Sequence, residues 1–150
     1  VGAIFHSMSE DNLERFLKSP FVMLGSDSSA RSFDGITRRG KPHPRGFGSL
    51  PRFLGGFVRD KKLMSMEEAI HKLTQLPART FGLKNRGLIK EVQYDDIVIF
   101  DTALISDNAT FEDPYQPPVG VKYVIVNGTV AVNEGIPTNS HSGRVLRHGV

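Results

Sequence analysis

The sequence predicts an α/β fold, because strand-like apolar segments alternate with amphipathic helical segments in its first half. The segment "FVMLG" (residues 21–25) is continuously apolar, which is typical of parallel strands that are covered by helices on both faces. From about residue 84 onward, the helical patterns give way to short β-rich segments. We therefore expect two structural units, residues 1–83 and residues 84–150.

Two helices are expected on either side of a long polar loop. The segment "FHSMSEDNLERFLKS" offers Ser7 or Ser9 as an N-cap, has acids in its first turn and places apolar residues on one face. The segment "SLPRFLGGFVRDKKL" also has apolar residues at helical spacing. Its middle is weakened by Gly55 and Gly56, because glycine is a poor helix former.

The rest of the chain carries clear helix and hairpin signals. In "SMEEAIHKLTQL", Ser65 and Glu68 form a capping box, and "PARTFG" can add a short helical turn that ends at Gly82. The segment "DDIVIFD" predicts a strand, and "KYVIVNGTVAVNEG" predicts two strands joined by the Asn127-Gly128 turn. The segment "GRVLR" (residues 143–147) predicts a closing edge strand.

Composition excludes several functional classes. The 150 residues are 39% hydrophobic and carry a net charge of +3, which is ordinary for one globular chain and does not require a nucleic-acid partner. There is no cysteine, so disulfides and thiolate metal sites are excluded. No apolar segment approaches the roughly 20 residues that a membrane-spanning helix needs, and no secretory signal is visible. We expect a cytoplasmic protein without a membrane partner.

The histidines and glycines show no local cofactor motif. No histidine pair forms H-x-H or H-E-x-x-H, so this chain is not expected to supply a metal cage by itself. His71, His141 and His148 are better explained as solvated residues than as catalytic ones. No Walker A or G-x-G-x-x-G pattern is present, so nucleotide binding through a glycine loop is not supported.

The position of Asp27 in the sequence makes it the candidate catalytic residue. It follows "FVMLGS" and precedes a long loop, residues 28–46, rich in Ser, Gly, Pro and Arg. In parallel α/β sheets, catalytic groups gather at the carboxyl ends of the strands, and long loops in compact domains are commonly functional. An aspartate in this place also fits a turn or an N-cap, so both interpretations stay open on position alone.

Several motifs together resemble one known family. They are "GSDSS", the stretch from "KPHPRGFGSL" to "LKNRGLIKE", "DDIVIFD", "ATFEDPYQPPVGVKYVIVNG" and "GRVLR", in that order. This pattern resembles the C-terminal third of the D-aminoacylases, which are N-acyl-D-amino-acid deacylases of the amidohydrolase superfamily. The resemblance implies that residues 1–83 are the C-terminal end of a metal-dependent (β/α)8 barrel and that residues 84–150 belong to a small β-sandwich.

The resemblance also implies roles for individual residues. Asp27 matches the aspartate that takes a proton from the metal-bound water and returns it to the leaving amine. Arg45 matches the arginine that binds the α-carboxylate of the substrate, a small N-acyl-D-amino acid. His43, in the same "HPR" motif, is expected to bind substrate or shape the loop. Zn²⁺ is the implied cofactor, with one or two ions held by residues absent from this chain.

Two expectations follow from this partial match. The missing N-terminal part of the barrel would be a required partner, and the isolated chain would be inactive. Ser28, Val92 and Asp95 depart from the residues usual in the family, which affects local loop geometry. A different class of function also fits the residues, namely a noncatalytic module whose basic loop, residues 38–45, binds an anionic partner.

Overall fold

The computed structural model of the protein describes residues 8–147. Its α-helices are α1 (Glu10–Lys18), α2 (Arg45–Arg52), α3 (Met66–Leu73) and α4 (Gln75–Thr80), and α2 continues directly into a π-helix, Phe53–Asp60. A short 3₁₀ turn spans Gly35–Thr37. The strands are β1 (Ile97–Phe100), β2 (Val121–Val126), β3 (Thr129–Asn133) and β4 (Ile136–Pro137), and they form an antiparallel sheet in the order β1-β2-β3-β4.

Two predicted N-caps, Ser9 and Ser65, are confirmed, whereas α2 and α4 begin earlier than predicted, at Arg45 and Gln75. The Ser9 hydroxyl caps α1 by accepting a hydrogen bond from the Asn12 N–H at 3.2 Å, while Ser7 lies outside the described residues. The Ser65 hydroxyl caps α3 by accepting from the Glu68 N–H at 3.1 Å. Each cap satisfies one of the N–H groups that a helix leaves without a partner in its first turn.

The Asn127-Gly128 turn joins β2 to β3 as the sequence predicts. Both turn residues have positive φ, 47° at Asn127 and 78° at Gly128, which matches the twist of the flanking strands. Val126 and Thr129 are paired at the end of the hairpin, and β1 pairs with the other edge of β2.

The glycine pair in the second helix changes the type of helix rather than breaking it. Gly55 and Gly56 lie in the π-helix, and Gly55 packs directly against the backbone carbonyl of Ile105. The same carbonyl accepts a hydrogen bond from Arg59 Nη1 at 2.8 Å, and the carbonyl of Ala103 accepts another at 3.1 Å. The π-helix is thereby attached to the loop that follows β1.

The core connects the helices to the sheet. Its buried members are Leu17, Phe53, Leu54, Val58, Ala69 and Ile105, with Leu24, Phe100 and Val121 among the partly buried residues packed against them. Ile105 therefore shares a core with residues that precede residue 84. The division into residues 1–83 and 84–150 stays a prediction.

Two predicted strands are wrong. Residues 21–25 form no strand, and no parallel pairing occurs among residues 8–147. A strand requires a partner for its N–H and C=O groups, and continuous apolarity indicates only burial; here Val22, Met23 and Leu24 are half-buried. Residues 143–147 also form no strand, because the sheet instead ends at β4.

No helix within residues 8–147 is both long enough and apolar enough to cross a bilayer.

The Gly55 contact predicts a large difference between two neighbouring substitutions. In Gly55→Ala, the new methyl group would overlap the Ile105 carbonyl oxygen, so we expect a loss of about 1–3 kcal/mol in the free energy of unfolding. Gly56→Ala is the matched control, because a methyl group there meets nothing within 4 Å. Urea unfolding of both variants measures the difference; equal stabilities would contradict the packing described here.

Candidate functional site

The segment that leads to Asp27 is anchored by a buried lysine. Lys72 on α3 is 3% exposed, and its ammonium group donates hydrogen bonds to the carbonyl oxygens of Ser19 and Val22, the latter at 3.1 Å. Carbonyl acceptors compensate a buried charge for the water it has lost. Lys72 therefore holds the backbone at Ser19 and Val22, which precede Asp27 in the chain.

Asp27 has a left-handed backbone conformation, and its carboxylate lies beside Arg45. Its φ of 49° lies in the left-handed region, where aspartate is one of the few side chains that are tolerated. The side chain has a separate partner, Arg45.

The long loop after Asp27 is held against α2 by a row of aromatic rings. Phe33 stacks on Phe47 of α2 with ring centroids 4.9 Å apart, and Phe47 contacts Tyr115 at 5.3 Å. The Tyr115 hydroxyl donates a hydrogen bond to the carbonyl of Arg39 at 3.0 Å. These contacts fold the loop back, so that the start of α2 lies beside Asp27.

Arg45 and Asp27 meet at this point. Arg45 is the first residue of α2, and its Nη2 atom lies 3.0 Å from Oδ2 of Asp27. The side chains are 44% and 87% exposed, respectively, so the ion pair is open to solvent and adds little to the stability of the fold. The structure therefore brings together the two residues to which the resemblance assigned chemistry, although they are far apart in sequence.

His43 supports the backbone of Arg45. Its Nδ1 atom accepts a hydrogen bond from the Arg45 N–H at 3.1 Å, and its ring contacts the edge of Phe111 with centroids 4.8 Å apart. Partial burial of the ring, and next the positive charge of Arg45, lower the pKa of His43 below its usual value. A neutral ring is required here, because a protonated Nδ1 atom cannot accept the hydrogen bond.

Two further residues lie beside Arg45. Gly46 packs so closely against the loop that an added methyl group would come within 2.9 Å of the Ser28 hydroxyl and 3.6 Å of Cδ of Arg31. The Nε atom of Arg31 is buried and has no hydrogen-bond partner among residues 8–147. A side chain at position 46 would therefore require the Ser28 hydroxyl to move.

Sequence reasoning did not find Lys72, Arg31 or Phe111. For Lys72 a signal was present: it lies three residues after Ala69 and four before Leu76, on the face that the helical spacing predicts to be buried. No local pattern indicates Phe111 or Arg31, because their contacts depend on how the loops pack.

The arginines of the basic loop 38–45 mostly contact the loop itself. Arg38 Nη1 donates to the Phe33 carbonyl at 2.5 Å, and the Arg38 guanidinium lies 4.6 Å from the centre of the Tyr115 ring. Arg39 Nε donates to the Ile36 carbonyl at 2.8 Å. These cations therefore stabilise the fold of the loop.

No metal centre is assembled within residues 8–147, because no three His, Asp or Glu side chains there converge closely enough to hold an ion. His71 Nδ1 instead lies 3.0 Å from Oε1 of Gln75 in the helical region, and His6 and His148 lie outside the described residues. Asp27 therefore belongs to no group of metal-ligating side chains among the described residues.

A separate apolar groove of about 450 Å³ lies between the helices and the sheet, where Phe47, Leu54, Leu73, Phe100 and Val121 are among the residues that line it. Asp27, His43 and Arg45 do not line this groove.

Comparison with known proteins identifies the family. The model of the amidohydrolase family matches residues 11–132. The D-aminoacylase of Alcaligenes xylosoxydans xylosoxydans is 40% identical over 146 residues, which cover 97% of this chain and 29% of that protein. Among solved structures, a D-aminoacylase described with a binuclear metal center superposes with a TM-score of 0.82 at 39% identity, covering 92% of this chain and 28% of that one.

A second enzyme gives the same result. The N-acyl-D-glutamate deacylase of Bordetella bronchiseptica, solved with zinc and a phosphonate inhibitor that mimics the tetrahedral intermediate, has a TM-score of 0.76 at 38% identity and matches 91% of this chain and 27% of that one. The chain therefore spans less than a third of the length of these relatives. Its helices and antiparallel sheet reproduce the corresponding part of the D-aminoacylase fold, and the family match covers most of the sequence. As the sequence motifs predict, the chain belongs to the amidohydrolase family.

Proposed function

We propose that this chain is the C-terminal part of a zinc-dependent N-acyl-D-amino-acid deacylase, which hydrolyses the amide bond to give a carboxylate and a free D-amino acid. In this proposal residues 1–83 complete a (β/α)8 barrel and residues 84–150 contribute to a β-sandwich. The relatives named above, all deacylases of N-acylated D-amino acids, support the reaction class.

The observation that carries the proposal is the 3.0 Å approach of Arg45 to Asp27. A deacylase of this kind needs a carboxylate that can move protons and a cation that can bind the α-carboxylate of the substrate, both within the length of one amino acid. The loop and α2 bring one residue of each type to the same place, and both are accessible from solvent.

Arg45 is assigned to the α-carboxylate of the substrate. The guanidinium group offers parallel N–H donors that match the two oxygens of a carboxylate, so it fixes orientation as well as position. A substrate held in this way presents only one face of its acyl carbonyl to the attacking water. This arrangement explains how a site can select one enantiomer, since correct orientation contributes strongly to rate.

Asp27 is assigned to proton transfer. Its carboxylate accepts a proton from the water as the water oxygen attacks the acyl carbon, and it returns that proton to the nitrogen as the C–N bond breaks. Over one turnover Asp27 takes up one proton and releases one proton, so it ends in its starting form. The Asp27 carboxylate lies beside Arg45 and is 87% exposed, so a water molecule can reach it.

The similarity to the relatives, and not the residues of this chain, is the reason for including a metal in the proposal. Residues 8–147 do not form a metal cage, so we place the ligands in the part of the protein that this chain does not include. Zinc at such a site acidifies water and polarises the acyl carbonyl. Because these ligands are missing, we expect residues 1–150 alone to be inactive.

His43 is assigned to shaping the site rather than to the reaction. Its neutral ring holds the backbone N–H of Arg45, which sets the direction in which α2 begins. Direct binding of the substrate by His43, which the sequence analysis also predicts, stays a prediction. A cytoplasmic location likewise stays a prediction.

We do not propose the alternative of a noncatalytic module that binds an anionic partner through loop 38–45. Arg38 and Arg39 each donate a hydrogen bond to a carbonyl of the loop, and Arg45 is paired with Asp27, so contacts within the chain account for these side chains without an anionic partner.

The role of Asp27 predicts the effect of a conservative substitution. In the full-length gene product with its metal bound, Asp27→Asn keeps the size of the side chain but removes its ability to accept a proton. We expect kcat for N-acetyl-D-amino acids to fall by about 10²–10⁴-fold, with metal content unchanged. Steady-state kinetics and metal analysis measure these effects.

The matched control is Asp34→Asn. Asp34 lies in the same loop, and its side chain makes no capping hydrogen bond to the 3₁₀ turn that follows. We expect wild-type kinetics for this variant. Full activity of Asp27→Asn would refute the proposed function.

The environment of His43 predicts its titration. Its pKa should be lower than the usual value of about 6.5, so the group binds fewer protons in the folded state than in the unfolded state. The stabilisation is therefore complete above about pH 6.5 and is lost as the pH falls through the lowered pKa. NMR titration of histidine-labelled protein, assigned with His43→Asn, measures this value; a pKa at or above 6.5 would contradict the account.

A further inference from the structure

The loop that follows β1 lies against the start of α2. Ser106 and Val119 join its two ends by backbone hydrogen bonds of 3.2 and 3.1 Å, so residues 107–118 form a closed loop. The sequence motif "ATFEDPYQPPVG" covers most of this loop, yet the proposed function gives it no role. Resting on that function, we propose that the loop is part of the substrate site, and that Phe111 is a positioning residue, which acts through His43 to place Arg45 for the α-carboxylate.

The closed loop 107–118 is tied internally and packs on α2. The Asp107 carboxylate fills the space that a side chain at Gly48, in the first turn of α2, would occupy. The same carboxylate accepts a hydrogen bond from the Ala109 N–H at 2.8 Å, and the Asp113 N–H donates to the Thr110 hydroxyl at 2.9 Å. The loop is therefore able to hold the side chain of residue 111 in one place beside α2.

Phe111 orients the imidazole of His43. The two rings meet edge to face, with an interplanar angle of 73° and centroids 4.8 Å apart, which is a favourable geometry for an aromatic pair. Ring orientation matters at His43 because Nδ1, and not Nε2, must face the Arg45 N–H, which lies 3.1 Å away. A ring that turned away from Phe111 would lose this hydrogen bond.

The hydrogen bond from Arg45 to His43 replaces an ordinary helix cap. The N-cap position of α2 is Pro44, which makes no side-chain capping bond, and the first N–H groups of a helix have no acceptor within the helix. The His43 ring accepts from the residue two positions later, as an Asn or Asp side chain does in an Asx-turn. This amide is bonded to the Cα atom that carries the guanidinium arm, so loosening it displaces the group that binds the substrate.

The kinetic test uses the full-length, metal-loaded protein. Phe111→Ala should lower kcat/KM for an N-acetyl-D-amino acid by about two- to tenfold, within the range that loss of a helix cap spans. Phe111→Tyr keeps the ring and should restore the wild-type value. Val130→Ala on β3 is the control and should leave kcat/KM unchanged, since Val130 is 41% exposed and Phe111 is 45% exposed. A wild-type kcat/KM in Phe111→Ala overturns the inference.

A double-mutant cycle shows whether Phe111 acts through His43. In His43→Ala the Arg45 amide has already lost its acceptor, so adding Phe111→Ala should lower kcat/KM no further. Two residues that support the fold independently would instead have additive effects on the free energy, and their fold-losses would multiply. Multiplied losses in the double variant therefore overturn the inference.

Hydrogen exchange at the Arg45 amide tests the same contacts without turnover. The inference predicts that exchange is about two- to tenfold faster in Phe111→Ala, again the size of a weakened cap, and unchanged in Val130→Ala. Unchanged exchange in Phe111→Ala overturns the inference whatever reaction the protein catalyses. Full hydrolytic activity of Asp27→Asn would instead overturn the proposed function, so the two failures are distinguishable.

Discussion

The close approach of Gly55 to the Ile105 carbonyl is the contact on which the arrangement of the molecule depends. The glycine lets the π-helix lie directly against the chain that leaves β1, and Arg59 satisfies the same carbonyl from the side. Phe53 and Ile105 are then fully buried at the junction of the helices and the sheet. Because α2 and the π-helix are continuous, this contact also sets the direction of α2 and the position of its first residue, Arg45.

The candidate site results from two supports acting on either side of one loop. Lys72 holds the backbone before Asp27, and the stacked rings of Phe33 and Phe47 hold the loop that follows it. Between these supports the chain passes through Asp27 and then returns to α2. The catalytic aspartate proposed here and its arginine partner are therefore placed by packing contacts, while their own ion pair is open to solvent and adds little stability.

Local sequence signals predicted the local structure. The capping serines and the Asn127-Gly128 turn were predictable because each depends on hydrogen bonds or dihedral angles within a few residues. The strands expected at 21–25 and 143–147 were wrong, since pairing depends on a distant partner that local composition does not reveal. For the site, motifs indicated Asp27, His43 and Arg45, but their meeting depends on how the long loop packs on α2, which no local pattern encodes.

The most direct measurement of the central claim is a crystal structure of the full-length, zinc-loaded protein with a D-amino acid product bound. The account predicts that the Arg45 guanidinium lies on the α-carboxylate of the product and that the Asp27 carboxylate faces the metal centre. A structure in which Asp27 points away from that centre, or in which Arg45 makes no contact with the product, would contradict it.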